Sequence, residues 1–233
     1  MTRRLPTVKD LLPKLSDVLD LLTMDEHEQL LKDASVHVFR KNELIYNPGD
    51  KPTHLHCLLS GKVKICKDGV GGRTQIVRVI RPVEYFGYRP AFAGENYVSY
   101  ALAFENSTIV RIPMDEVIKV VKGNARLSWF FINRLATDLG RADERTVSLT
   151  QKHIRGRLAD ALLFLKESYG VEEDGFTLSI YLSREDLANL SNMTTSNAIR
   201  TLSAFAAERL VAVDGRKVKL LDIAKLEKIS RIG

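Results

Sequence analysis

The sequence predicts an α+β protein in three successive parts: an antiparallel β barrel or roll, one long helix, and a winged helix-turn-helix. Three patterns predict it. Between Val36 and Ile112 apolar and polar residues alternate in short runs separated by turn residues, the period of strands. From Asn124 the apolar residues recur every three or four positions, the period of a helix. Between Ser183 and Leu220 two short helical patterns flank a three-residue break and are followed by two short strand patterns.

The composition is that of a folded protein. With 233 residues, 45% hydrophobic and 27% charged, the chain is neither a disordered segment, a collagen-like fibre nor a coiled-coil rod. The length suits two domains. No run approaches the roughly 18 to 20 uncharged apolar residues that span a bilayer. Met1 to Pro6 lacks the apolar segment of a signal peptide, so the expected location is the cytoplasm, with no membrane partner. Cys57 and Cys66 are too few for a disulfide framework and lack Cys-x-x-Cys spacing, so buried thiols in a reducing compartment are expected. The net charge of +6 is spread along the chain: 13 basic and 11 acidic residues from Val147 onward, 22 and 18 before it. A basic average of this kind favours polyanionic partners without naming one.

Taken in order, Val8 to Lys32 has helical spacing. Runs such as Leu58 to Cys66 and Thr74 to Ile80 read as strands. Turns are expected at Asn47-Pro48-Gly49-Asp50, Ser60-Gly61, Asp68 to Gly72 and Ala93-Gly94-Glu95-Asn96, where glycine supplies positive φ. In the long helix, Ile132, Leu135, Leu139, Ala142, Thr146 and Leu149 form one apolar stripe. Such a stripe packs either on its own barrel or on its twin, and a homodimer with these six residues at the interface is expected. Domain boundaries are placed at 1–123, 124–150 for the dimerisation helix, and 151–233.

Lys152 to Tyr169 reads as an amphipathic helix carrying Ile154, Leu158, Ala161, Leu162 and Leu165, closed by Gly170. Thr177 to Leu182 alternates as a strand, and Ser183 then caps a short helix that Ser191-Asn192-Met193 ends. Thr194 caps a second helix with Ala198, Leu202 and Phe205 inward and Ser196, Arg200 and Ser203 outward. Leu210 to Val213 and Arg216 to Leu220 form a hairpin about Asp214-Gly215.

The outer face of that second helix carries the functional signal. Two helices and a turn occur in many small bundles that never meet DNA. A bland exposed face usually carries Glu-Lys pairs, whereas Thr194, Thr195, Ser196 and Asn197 followed by Arg200 offer short hydrogen-bonding groups and one guanidinium. These suit base edges and phosphates in a major groove.

The order of parts resembles the cyclic-AMP receptor protein and fumarate–nitrate reductase regulator (Crp/Fnr) family of bacterial transcription factors over nearly the whole chain. The segments that carry the resemblance are Leu182 to Arg200, similar to the family's helix-turn-helix signature, and Asn47-Pro48-Gly49-Asp50 to Ser60-Gly61-Lys62-Val63 in the roll. The resemblance implies a cyclic-nucleotide-binding-like jelly roll, a homodimer on a palindromic double-stranded operator, contact with RNA polymerase, and base reading by Arg200. It also places Ser183, Arg184, Asn197 and Arg216 at phosphate contacts. Where the family often has glutamate and arginine this chain has Ser196 and Thr195, so the family's half-site preference does not carry over.

The expected effector pocket comprises Phe86, Gly87, Tyr88, Arg89, Val98 and Ser99 with Ala142 and Asp143 from the helix. In the cyclic-AMP binders that the chain resembles, a glutamate stands at the place of Tyr88 and an arginine at that of Val98; only Gly87 and Ser99 match. A buried phosphate without its guanidinium loses a charge-assisted pair, so a different small-molecule effector, or none, is expected. Asp143 near such a pocket repels an anion unless Arg89 compensates.

No cofactor or metal is expected. Two cysteines cannot hold an iron–sulfur cluster, and His54 and His56, two apart on a strand, have no third ligand. His27, His37 and His153 stand apart, while Trp129, Phe130 and Phe131 suit core or seam better than ligand. There is no nucleophile elbow, P-loop or dinucleotide fingerprint, so an enzyme is not expected. The competing reading is a ligand-binding adaptor whose helical domain meets protein instead of DNA, distinguishable by its weak response to salt.

Overall fold

A computed structural model describes residues 16–232. The chain divides into two compact units, residues up to 67 with 77–139, and 68–76 with 140 onward. Residues 8–15 of the predicted first helix lie outside the described residues. The rest of that segment is two short helices, α1 (Ser16–Leu19) and α2 (Met24–Leu31), because Thr23 starts a new helix. Its hydroxyl accepts from Glu26 N and the Glu26 carboxylate accepts from Thr23 N, a reciprocal capping box.

The first unit is a roll of two four-stranded antiparallel sheets. The strands are β1 (Ser35–Phe39), β2 (Leu44–Tyr46), β3 (His54–Ser60), β4 (Val63–Asp68), β5 (Thr74–Ile80), β6 (Glu84–Phe86), β7 (Tyr100–Ala103) and β8 (Ser107–Pro113). One sheet has the order β1-β8-β3-β6 and the other β2-β7-β4-β5. Strand β3 is buried on both faces, which explains its near-continuous apolar run. Leu55, Cys57 and Leu59 meet Leu30, Val117, Val120, Leu127 and Phe131 of the helices, whereas Leu58 joins Phe39, Phe86 and Ile109 against Val63, Ile65 and Ala101 of the other sheet. Both cysteines are buried thiols outside any disulfide, and burial pushes the Cys57 thiol up to about 12.

Gly61, at the β3–β4 turn, has φ +88°, and a Cβ there would stand 2.5 Å from the Asn106 carbonyl and 2.7 Å from the Ser107 Cα. Backbone on both sides makes this position glycine's alone. Ala93 to Asn96 is not a hairpin turn. It ends a short helix, α3 (Tyr88–Ala93), at Gly94 with φ +70°, and Glu95 N closes on the Pro90 carbonyl. The same turn residues serve a helix end or a hairpin, and only the chain's later course separates the two uses.

Helix α4 (Met114–Gly123) and the 27-residue α5 (Ala125–Gln151) follow. In the second unit α6 (Ile154–Tyr169) buries Leu158, Leu162 and Leu165, with Gly170 past its end at φ +74°. Thr177 to Leu182 is not a strand: only Thr177 and Leu178 make bridges, to Lys219 and Val171. The Asp174 carboxylate accepts from Thr177 Oγ1 and from the amides of Thr177 and Phe176, and these bonds hold it well below the usual carboxylate range. That turn occupies the Thr177 amide, Leu178 N donates to the Val218 carbonyl, and bridging stops after Leu178.

The unit continues with α7 (Arg184–Leu190), α8 (Thr195–Ala207), β9 (Val211–Asp214), β10 (Lys217–Leu220) and α9 (Ile223–Ile232). Helix α9 was not anticipated from the sequence; it packs Leu226 inward, and the Ser230 hydroxyl bonds Asp160 of α6. In the hairpin, Asp214 pairs with Lys217, so the two loop residues are Gly215 and Arg216 instead of Asp214 and Gly215. Gly215 has φ +54°, which puts glycine first in the loop. Arg145 of α5 donates to the carbonyls of Ile76 and Leu190, closing the last turn of α7. Among the described residues no helix is long and apolar enough to cross a membrane.

Candidate nucleic-acid interface

Helices α7 and α8 are held by the caps that the sequence predicts. Ser183 Oγ accepts from Asp186 N at 3.0 Å, and Thr194 Oγ1 accepts from Asn197 N at 3.2 Å. Between them Asn192 takes φ +50°, a conformation asparagine tolerates, and the Met193 side chain is buried. Ala198, Leu202 and Phe205 are buried as expected, with the Arg155 guanidinium 4.9 Å from the Phe205 ring centroid.

This burial leaves Thr194, Thr195, Ser196, Arg200 and Ser203 exposed and Asn197 half-buried. The Arg200 guanidinium donates to Asn197 Oδ1 at 2.5 Å, so the two residues form one polar unit on adjacent turns. The first turn of α8 contains no acidic residue, whereas that of α7 holds Glu185 and Asp186. The partial positive charge at the start of α8 is therefore uncompensated by its own side chains, as an anion site requires.

Two expected phosphate contacts have structural duties. The Arg184 guanidinium donates to the Gly215 carbonyl at 2.7 Å and fastens the hairpin turn to α7. Ser183 spends its hydroxyl on Asp186, donating to the carboxylate at 2.8 Å. Arg216 is exposed. Ile199, 45% exposed between Ser196 and Ser203, was missed because an apolar residue is read as core by default. Its signal was its place outside the 198, 202, 205 stripe.

The stripe on α5 is displaced from the predicted one. Leu135 is partly buried against the roll core and Leu149 is half-buried, while Ile132, Leu139, Ala142 and Thr146 are exposed. Trp129 at 62%, Ile132 at 52% and Leu139 at 64% continue through Ala136, Asp143, Thr146 and Thr150 with alternating steps of three and four. This heptad is shifted from the predicted line because Leu127, Phe131 and Leu135 turn toward the helix's own roll.

The residues expected to line an effector pocket differ in burial. Phe86 and Tyr88 are buried, Tyr88 packing on Phe92 and Phe131 with its hydroxyl 3.4 Å from Asp138 Oδ2. Arg89 does not turn inward: it pairs with Glu95 at 3.2 Å, both half exposed. Val98 is exposed and Ser99 half-buried. Gly87 takes φ +88°, and a Cβ there would lie 2.8 Å from His56 Nδ1 and 2.9 Å from Tyr97 Oη. Ala142 and Asp143 are exposed and belong to the second unit. Among the described residues no group of three or more His, Cys, Asp and Glu side chains is placed to hold a metal.

Burial, assisted by the nearby charge of Arg111, drives the His56 imidazole from 6.5 to about 3. The unfolded chain therefore binds a proton that the folded one refuses between these values. The stability His56 contributes is complete above pH 6.5 and falls by about 1.4 kcal/mol per unit as pH drops toward 3. Denaturant titrations of His56→Gln should show a shallower acid limb than wild type; parallel limbs would mean that His56 protonates freely.

Residues 36–124 match the profile of the Cyclic nucleotide-binding domain, and 156–229 that of the Crp-like helix-turn-helix domain. The Global nitrogen regulator of Nostoc is 25% identical over 186 residues, which cover 78% of this chain and 83% of the relative. A CRP-like cAMP-activated global transcriptional regulator of Mycobacterium tuberculosis is 24% identical over 83% of this chain and 87% of its own. Among solved structures, FixK2 from Bradyrhizobium japonicum superposes with a TM-score of 0.76 at 21% identity, covering 84% of this chain and 96% of that one. A Eubacterium rectale chain described as a transcriptional regulator of the crp/fnr family reaches 0.77 at 18% identity, over 92% of this chain and 97% of that one. A cyclic-nucleotide-binding-type roll, a long helix and a Crp-like helix-turn-helix in this order make the chain a member of the Crp/Fnr family of transcription regulators.

Proposed function

We propose that the protein is a homodimeric, sequence-specific DNA-binding regulator in which α8 enters the major groove. The observation that carries this reading is the exposed start of α8, with its uncompensated dipole and the Asn197–Arg200 pair above a fully buried inner face. Arg200 reads a base, its fork matching the O6 and N7 acceptors of guanine, and Ile199 meets a thymine methyl. Thr194, Thr195, Ser196 and Ser203 complete the contacts to bases and phosphates, while Asn197 orients Arg200. Arg216 reaches the backbone from the hairpin, and Arg184 and Ser183 act by holding the hairpin and the helix start in place.

Residues 1–123 serve as sensor, 124–150 as dimerisation helix and 151–233 as reader. Two copies joined along Ile132, Leu139 and Thr146 present two reading helices to a palindromic operator about one helical turn between half-site centres. An effector alters transcription by binding one arrangement of the dimer better than the other. Cyclic AMP does not fit the cassette: Tyr88 and Val98 replace its two polar partners, and Tyr88 is closed over by Phe92 and Phe131. Contact with RNA polymerase completes the activity at a promoter.

Selection of genomic fragments by the purified protein, followed by anisotropy titration on the enriched motif, tests the reading. Arg200→Ala should weaken the cognate site by about 1 to 3 kcal/mol, roughly 5- to 150-fold, and relax preference at one base position. Unchanged affinity and preference would remove Arg200 from the interface. A log affinity indifferent to log salt would favour a protein partner over DNA.

A further inference from the structure

We infer that the inner face of the β1-β8-β3-β6 sheet carries a binding site for a small oxyanion, a carboxylate or a phosphate, seated on Arg111 and the imidazoles of His54 and His56. Strand register puts these groups together. Arg111 lies opposite Ser35 on one side and His56 on the other, and His54 follows two residues from His56 on the same face. The next row of that face is Ile109 and Leu58, both in the core between the sheets. Within one row the interior thus changes from aliphatic to cationic, which closing a roll does not require and which burial penalises.

Two buried nitrogens of this block have no hydrogen-bond partner, whereas His54 Nδ1 is shared between the Thr53 hydroxyl at 2.9 Å and Arg111. Arg111 has no carboxylate partner among the described residues; its Nη2 sits 3.0 Å from His54 Nδ1, and its Nε is buried without a hydrogen bond. His56 is 3% exposed, and its Nδ1 likewise has no partner. A buried guanidinium nitrogen such as Arg111 Nε is ordinarily hydrogen-bonded, and unsatisfied buried groups call for an explanation. A two-oxygen anion supplies it: one oxygen accepts from Arg111 and the other from an imidazole N–H, both bonds charge-assisted. Arg111 and His54 are only half-buried and His37, on the edge strand β1, is exposed, so the block opens to solvent on one side.

The groups facing His56 are Arg111, His54, His37, Tyr46 and Phe86, with Tyr97 beside Gly87; none is a carboxylate. A bound anion brings the missing negative charge and so favours imidazolium. Binding therefore takes up protons and strengthens as the solution becomes more acidic.

This inference concerns the roll alone and does not depend on DNA reading. The test is NMR of the full-length protein with ¹³C-labelled histidine, titrated with inorganic phosphate and separately with acetate, against chloride at constant ionic strength. The Cε1 signals of His54 and His56 should shift saturably with at least one of the two anions, and the His54 signal should titrate at higher pH in its presence. His27 and His153 lie elsewhere and should not move. Arg111→Gln should abolish the shifts, and Arg111→Lys should keep them at weaker affinity. Shifts equal to those in chloride, shared by all five histidines or undiminished in Arg111→Gln would overturn the site. Should Arg111→Gln displace the His27 and His153 signals, marking a folding defect, the wild-type and Arg111→Lys titrations decide.

Discussion

Replacing both Ile132 and Leu139 with glutamate should convert the protein to a monomer and lower its operator affinity by about 10²- to 10⁴-fold. The two side chains are 52% and 64% exposed one heptad apart, so the substitution disturbs little of the chain's own core. Across a two-fold axis it sets four carboxylates into a seam meant to be apolar. The affinity loss follows from valency: once one reading helix is bound, a linked partner meets its half-site at a high effective concentration, and a monomer forfeits this gain. Sedimentation velocity measures the first effect and anisotropy on a two-half-site duplex the second. A dimer that survives both glutamates would show that the exposed stripe is not its interface. Leu135→Glu differs in kind, since Leu135 is partly buried against the roll core and its loss should register as instability.

Phe205→Ala should cost the second unit about 3 to 5 kcal/mol. The ring is fully buried on the inner face of α8 and carries the Arg155 guanidinium on its face, so truncation leaves a cavity and an unstacked cation. The consequence for function is indirect: Asn197 and Arg200 are presented by the helix that Phe205 anchors. Hydrogen exchange should show protection lost across α6, α7 and α8 while β3 and β8 of the roll keep theirs. A loss below about 1 kcal/mol would mean that the site collapses around the missing ring and that close packing does not position the helix.

Much of the reading end was legible because its signals are local. A serine or threonine at an N-cap and a stripe of Ala198, Leu202 and Phe205 are satisfied within one or two turns of helix, so reading them needs no knowledge of distant residues. The helix α9 went unread although its signal is equally local: the Asp222 carboxylate accepts from Lys225 N at its start and Leu226 turns inward. Thr177 to Leu182 looked like a strand because burial alternates there, yet only Thr177 and Leu178 make bridges. Arg184, which the resemblance placed at a phosphate, donates to the Gly215 carbonyl of the hairpin turn.

By itself, the sequence determined the order of parts, the period of the long helix, the caps of α7 and α8, and which face of α8 is polar, since each depends on residues within a few positions of one another. Tertiary structure alone decided which line of α5 is left bare, because that depends on Phe131 and Leu135 finding the roll core. It decided equally that Tyr88 and Phe86 are buried, and that Arg111 meets His54 and His56 across strands more than 50 residues apart in the chain. Burial and cross-strand register are properties of the assembled sheets, and no local spacing encodes them.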